Sequence, residues 1–186
     1  IFIVFDTSRS VLNKSKQSGK PMEQIRDEAI KLVEALNANT LFGLVQFVRK
    51  FDLFQNYLVP GTKRNKAVAK GWLNDEFNFS GNSRSSWNVY GGDQPFDGVQ
   101  GVLKKIFEFK PDVVFLISDA GFGRNLPSRK NNIDLDELAR DLEALQQQVG
   151  NRKTRIHFIG FQLKDTRKAS LKKIIAKYGG VFKEFE

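Results

Sequence analysis

Ile1-Phe2-Ile3-Val4-Phe5 is an unbroken apolar run that stops abruptly at an acid, Asp6, and it limits the fold more than any other segment. Five apolar residues without alternation leave neither face of an extended chain free to meet water. Such a run fits a strand buried on both sides, as in a parallel sheet covered by helices on each face. The pattern recurs at Asp112-Val113-Val114-Phe115-Leu116-Ile117-Ser118, which again ends in an acid, Asp119. Open α/β sheets place their ligands at the carboxyl ends of the strands. Asp6, Ser8 and Ser10 fall there, in the loop that leaves the first strand. A carboxylate and two hydroxyls at i, i+2 and i+4 can converge as hard oxygen donors suited to Mg²⁺, Mn²⁺ or Ca²⁺. If the two acid-ended strands are neighbours, Asp6 and Asp119 share one cleft, and their repulsion calls for a compensating cation.

The remainder alternates strand and helix. A polar, basic stretch after the first strand reads as loop, and Pro21 then opens a helix with Met22, Ile25, Ala29, Leu32, Val33 and Leu36 at helical spacing. Leu41 to Val48 reads as a strand and Phe51 to Leu58 as a short edge strand or hairpin arm. Lys63 to Asp75 is helical, with Val68, Trp72 and Leu73 inward. A Gly/Ser/Asn-rich loop from Asn78 leads to Tyr90-Gly91-Gly92-Asp93, and loops of such length are often functional. Helical spacing returns in Phe96, Val99, Val102, Leu103, Ile106 and Phe107. Asp134 with Glu137 makes a capping pair for a helix carrying Leu135, Leu138, Leu142, Leu145 and Val149. Arg155 to Phe161 is a strand, Thr166 to Tyr178 a helix stopped by Gly179-Gly180, and Val181 to Phe185 a last strand. The expected fold is α/β: one domain over residues 1–186 with a doubly wound, mostly parallel central sheet. Helices cover both faces, right-handed crossovers join the strands, and one short edge strand is antiparallel.

Charge and composition narrow the function classes. The formal net charge of +9 favours acidic partners. The basic residues are scattered, however, and no ribonucleoprotein-like aromatic motif or zinc-finger spacing accompanies them, so no specific nucleic-acid partner is expected. The absence of cysteine excludes disulfides, thiolate metal sites and a cysteine nucleophile. No apolar stretch approaches the ~18 residues of a membrane span. The seventeen phenylalanines read as core filler. The chain opens inside a strand without an initiator Met, and is expected to be a piece of a longer polypeptide.

Asp6-Thr7-Ser8-Arg9-Ser10 is similar to the D-x-S-x-S signature that opens the metal-ion-dependent adhesion site of von Willebrand factor A domains. The resemblance extends over the chain through Gly91-Gly92, Phe115-Leu116-Ile117-Ser118-Asp119, Ile156-His157-Phe158-Ile159-Gly160-Phe161 and the segment Leu171 to Gly180. Leu58-Val59-Pro60, Asn65-Lys66-Ala67 and Pro111-Asp112-Val113-Val114 look most like bacterial members of unassigned role. The resemblance implies a Rossmann-like fold with Mg²⁺, Mn²⁺ or Ca²⁺ held by Asp6, Ser8 and Ser10, and with Asp119 contributing directly or through water. It further implies a non-catalytic adhesion or scaffolding module whose open metal position takes a carboxylate from a protein ligand. Its expected place is the cell envelope or the extracellular side, within a membrane-anchored or secreted chain. Two positions depart from the family pattern. Asp93 stands where the second loop usually supplies Thr, and Ala120 where Gly often follows the third-loop acid. As an oxygen donor, Asp93 is expected to join the metal set, tighten cation binding and weaken the pull on an acidic ligand.

Around these loops, Arg9, Trp87, Tyr90 and Arg124 are candidates for a ligand surface. His157, the only histidine, falls within a strand and reads as structural. Two other functions compete with the binding module. One is Mg²⁺-dependent phosphoryl transfer with Asp6 as nucleophile, which is weakened because Ser8 occupies the second acid's place and no strand-end Lys pairs with the cluster. The other is a metal-free structural domain.

Overall fold

A computed structural model describes residues 1–91, 98–122, 133–150 and 153–185. The elements run β1 (Phe2–Asp6), α1 (Arg9–Gln17), α2 (Met22–Ala35), β2 (Leu41–Phe47), β3 (Phe51–Leu53), β4 (Val59–Pro60), α3 (Lys63–Asp75), α4 (Gly98–Phe107), β5 (Val113–Ser118), α5 (Leu135–Gln148), β6 (Arg155–Phe161), α6 (Asp165–Lys177) and β7 (Phe182–Phe185). The strands lie in the order β3-β2-β1-β5-β6-β7, with β4 pairing β2 off this path. β1, β2, β5, β6 and β7 are parallel, whereas β3 and β4 both run antiparallel to β2. The expected arm from Phe51 to Leu58 is therefore two short pieces. One pairs with Val45–Phe47 and the other with Leu41 and Phe42.

Alternation along each strand divides the core into two layers. Phe2, Val4, Val45, Phe47, Val114, Leu116 and Phe158 face α4, α5 and α6. Ile3, Phe5, Phe42, Leu44, Ile117 and Phe161 face α1, α2 and α3. The apolar runs in β1 and β5 are thus explained by burial on both sides. This is the doubly wound arrangement, and every strand of the central path except the edges supplies both layers.

Two departures from the sequence reading bear on the site. The basic stretch after β1 is helical: α1 covers Arg9–Gln17, with only Val11 and Ser15 buried. An inward Ser leaves no apolar period to read, and Ser15 settles its hydroxyl on the Leu12 carbonyl at 3.0 Å. In α3 Ala69 and Leu73 are buried and Trp72 packs half-buried against the same layer, while Val68 is 50% exposed. Elsewhere, Asp134 caps α5 by accepting from Asp136 N–H, whereas Glu137, expected to complete the capping pair, accepts from Gln100 Nε2 on α4. Gly179 adopts the left-handed conformation (φ 66) after α6. Gly180 passes so close to Ile156 that a Cβ would lie 1.7 Å from its carbonyl oxygen, so no side chain fits there. Phe96 lies outside the described residues.

Candidate metal centre

The parallel register sets Phe5 beside Ile117, so the ends of β1 and β5 coincide and Asp6 and Asp119 open onto the same edge. Three turns at this edge use the same local device, in which a side-chain oxygen accepts the backbone N–H two residues on. Asp6 Oδ1 accepts from Ser8 at 3.0 Å, Ser118 Oγ from Ala120 at 3.1 Å, and Asp119 Oδ1 from Gly121 at 2.9 Å. The Ser118 hydroxyl donates onward to Asp6 Oδ2 at 2.6 Å, which ties the two strand ends together. Ala120 holds a left-handed φ of 57°, a conformation costing an L residue about 1–2 kcal/mol. The strain sits between the Ser118 and Asp119 turns, where the chain reverses to aim both side chains at one edge.

Asp6 is 3% exposed. Burial lifts its carboxyl from 3.8 to about 6, and the Asp119 charge adds to the rise, while hydrogen bonds from Ser118 and Ser8 oppose it. A buried carboxylate held this far up is under-compensated, and a cation beside it would restore its charge. The hydroxyls are arranged accordingly. Ser8 occupies the N-cap of α1, yet its side chain makes no capping bond. Its Oγ lies instead 3.2 Å from Ser10 Oγ, leaving two hydroxyl oxygens together at the mouth of the edge. The donors are hard oxygens throughout, so the residues present fit Mg²⁺, Mn²⁺ or Ca²⁺. Among the described residues no three His, Cys, Asp or Glu side chains gather into a metal cluster, so a cation at this edge would have to draw on the hydroxyls as well.

Several contributors were not evident from sequence. Thr7 is fully buried, donates to the Phe47 carbonyl at 3.1 Å and accepts from Asn78 Nδ2 at 3.3 Å. Asn78 also bonds the Asn82 carbonyl and takes Ser80 N–H, fastening the long loop beside this sheet edge. Gly81 (φ 74) rests on the first turn of α1, where a Cβ would come within 2.9 Å of Arg9 Cα. Lys14 places Nζ 2.9 Å from Asp119 Oδ2, so a lysine does pair with the acids, but from a helix rather than a strand end.

The ligand-surface candidates separate. Arg9 is exposed at the start of α1 and lines a groove of about 330 Å³ with Asn13, Lys16, Glu23, Phe79 and Ser80. Trp87 is 5% exposed and packs beneath the loop, so its ring does not form an outer surface. Tyr90 is turned away: its phenol bonds Glu108, just past the end of α4 that leads into the start of β5, and this contact raises its pKa. Asp93 and Arg124 lie outside the described residues, as does Gly92. His157 is structural in its contacts, stacked on Phe115 and accepting from Val181 N–H.

No family model matches this sequence, and no curated protein matches it. Solved structures do match. Over 100% of this chain and 38% of the other, it superposes on a von Willebrand factor type A protein from Catenulispora acidiphila with a TM-score of 0.63 at 16% identity. The fold is that of the von Willebrand factor A domain. An aerotolerance-related membrane protein from Bacteroides fragilis matches over 100% of this chain and 90% of its own, with a TM-score of 0.62 and 12% identity. Proximal thread matrix protein 1 from the mussel byssus, solved with a zinc-occupied metal-ion-dependent adhesion site, matches over 99% and 43%, with a TM-score of 0.57 and 16% identity. The chain thus spans well under half of two of these proteins. Within the A-domain fold, the Asp6–Asp119 edge is the carboxyl edge of the sheet.

Proposed function

We propose that this A domain is a non-catalytic binding module that holds one divalent cation at the Asp6–Ser8–Ser10–Asp119 edge and docks an acidic protein segment there. The observation that carries the reading is Asp6 itself: a buried carboxylate with its pKa raised, facing a second acid and two hydroxyls that cap nothing. Mg²⁺ or Mn²⁺, once bound, would supply positive charge and a coordination position for an incoming carboxylate. Asp6 and Asp119 would hold the ion, Ser8 and Ser10 would add neutral oxygens, and Ser118 would keep Asp6 in its rotamer. Asp93 joins the set in this proposal and weakens the ion's own pull on a carboxylate, so more of the attraction falls to the basic groove beside it. The zinc-occupied site of the mussel protein supports a divalent ion on this fold.

The partner's acidity follows from charge. The groove beside the hydroxyls presents Arg9 and Lys16 with one acid, Glu23, and Arg26 lies over the Phe79 ring at its edge. The chain as a whole carries +9. We place the module at the cell envelope or outside the cell, in keeping with the membrane protein of the same fold. Among the described residues no helix is long and apolar enough to cross a membrane.

Immobilised domain loaded with Mn²⁺ is expected to retain a Glu-rich peptide at physiological salt and to release it on chelation. Retention that persists in chelator would reduce the interaction to surface charge. Hydrolysis of a generic phosphoester that disappears in Asp6→Asn would replace the binding reading with an enzymatic one.

A further inference from the structure

We infer that Lys14 is a resident counter-cation of the site, one that an incoming divalent ion must displace from Asp119. The inference rests on the cation reading above and adds to it a built-in competitor. Ser10 and Lys14 are one turn apart on α1, hence on the same helix face, and helical side chains lean toward the N-terminus. Lys14 therefore reaches back along its own helix to the edge that Ser8 and Ser10 border. Its ammonium lies 2.9 Å from Asp119 Oδ2, and the two side chains are 33% and 2% exposed. The lysine bridges solvent and a buried acid.

Asp119 Oδ1 accepts from the Gly121 N–H at 2.9 Å, which fixes the carboxylate, and its Oδ2 is the oxygen that Lys14 contacts. A divalent ion taking Oδ2 would meet the ammonium at close range, and like charges sharing one oxygen repel. The flexible, strongly hydrated lysine stem can swing to water, whereas Asp6 and Asp119 are fixed by their turns. Lys14 thereby neutralises one acid while no ion is bound and lowers the affinity for any ion that arrives. The other basic residues of α1, Arg9 and Lys16, line the neighbouring groove instead.

Calorimetric titration of Mn²⁺ into chelator-stripped wild type, Lys14→Met, Lys14→Gln and Lys14→Arg tests this. Removing the charge in either neutral variant is expected to tighten Mn²⁺ binding by at least about fivefold, the lower end of typical couplings between ligands. Lys14→Arg is expected to stay within about threefold of wild type, since it keeps the charge. A lysine serving only to hold the fold would give the opposite result, weaker binding on removal. Equal affinities in wild type and both neutral variants would overturn the inference and leave the cation reading standing. Binding by no variant at all would overturn both. Binding by the neutral variants alone would support it in its strongest form.

Discussion

Asp6→Asn is expected to make the metal-free protein more stable and to abolish its response to divalent cations. Burial raises the Asp6 carboxyl from 3.8 to about 6. A tenfold change in proton affinity is worth ~1.4 kcal/mol, so the ionised side chain costs the metal-free fold on the order of 3 kcal/mol above pH 6. The sign follows from linkage: an acid whose folded pKa is raised binds its proton more tightly in the folded state. Its cost is absent below pH 4, grows as the pH rises from about 4 to about 6, and is constant above. Asparagine can still accept from Ser8 N–H through its carbonyl oxygen but carries no charge. In chelator at pH 8 the variant should gain up to ~3 kcal/mol in denaturant unfolding, and the gain should vanish near pH 4. Wild type should recover the difference on adding Mn²⁺, and Asp6→Asn should not. A variant less stable than wild type at pH 8, or still stabilised by Mn²⁺, would contradict this role for Asp6.

The second large effect concerns Gln46, fully buried in β2 beneath the start of the long loop. Its Oε1 accepts from Asn78 N–H at 2.8 Å, and its Nε2 donates to the Glu76 carbonyl at 2.9 Å and to Asp52 Oδ2 at 3.1 Å. Leucine would fill the volume but strand the Asn78 N–H and take a donor from Asp52, while the Glu76 carbonyl keeps Arg84 Nη2 at 3.2 Å. A stranded buried group costs about 1–3 kcal/mol, so Gln46→Leu should destabilise by about that much. The effect should reach the site, because Asn78 is the residue that bonds Thr7 between Asp6 and Ser8. Faster amide exchange from Asn78 to Asn82 and weaker Mn²⁺ binding are expected together. A stability loss under about 1 kcal/mol would show that water satisfies these groups instead.

Long apolar strands were legible because burial on both faces leaves no polar position to confuse the reading. β5 and β6 follow their sequence boundaries within a residue, and α3 matches its expected span. The two strand-end acids were legible for the same reason, since an acid closing such a run has nowhere to go but the sheet edge. α1 was not, because only Val11 and Ser15 are fully buried in it and serine carries no hydrophobic signal. Missing α1 also hid Lys14. In a loop it would be one of several scattered lysines, whereas on a helix it falls one turn beyond Ser10 and leans toward the acids. Val68 and Ala69 differ by one position, about 100° around a helix, and the smaller side chain won the inward place where α3 approaches α2. Sequence leaves Trp87 divided between packing and display, and its burial decides for packing. Ser118 and Asn78 act through contacts across 112 and 71 residues of sequence, which no local pattern encodes.

Titration of Mn²⁺ or Mg²⁺ into the chelator-stripped domain, followed by heat, decides whether the Asp6–Asp119 edge holds a cation. About one ion should bind per chain and, at a hundredfold excess over the dissociation constant, stabilise the fold by roughly 2.7 kcal/mol. Neither heat nor stabilisation, in wild type and Lys14→Met alike, would contradict a cation site at the Asp6–Asp119 edge.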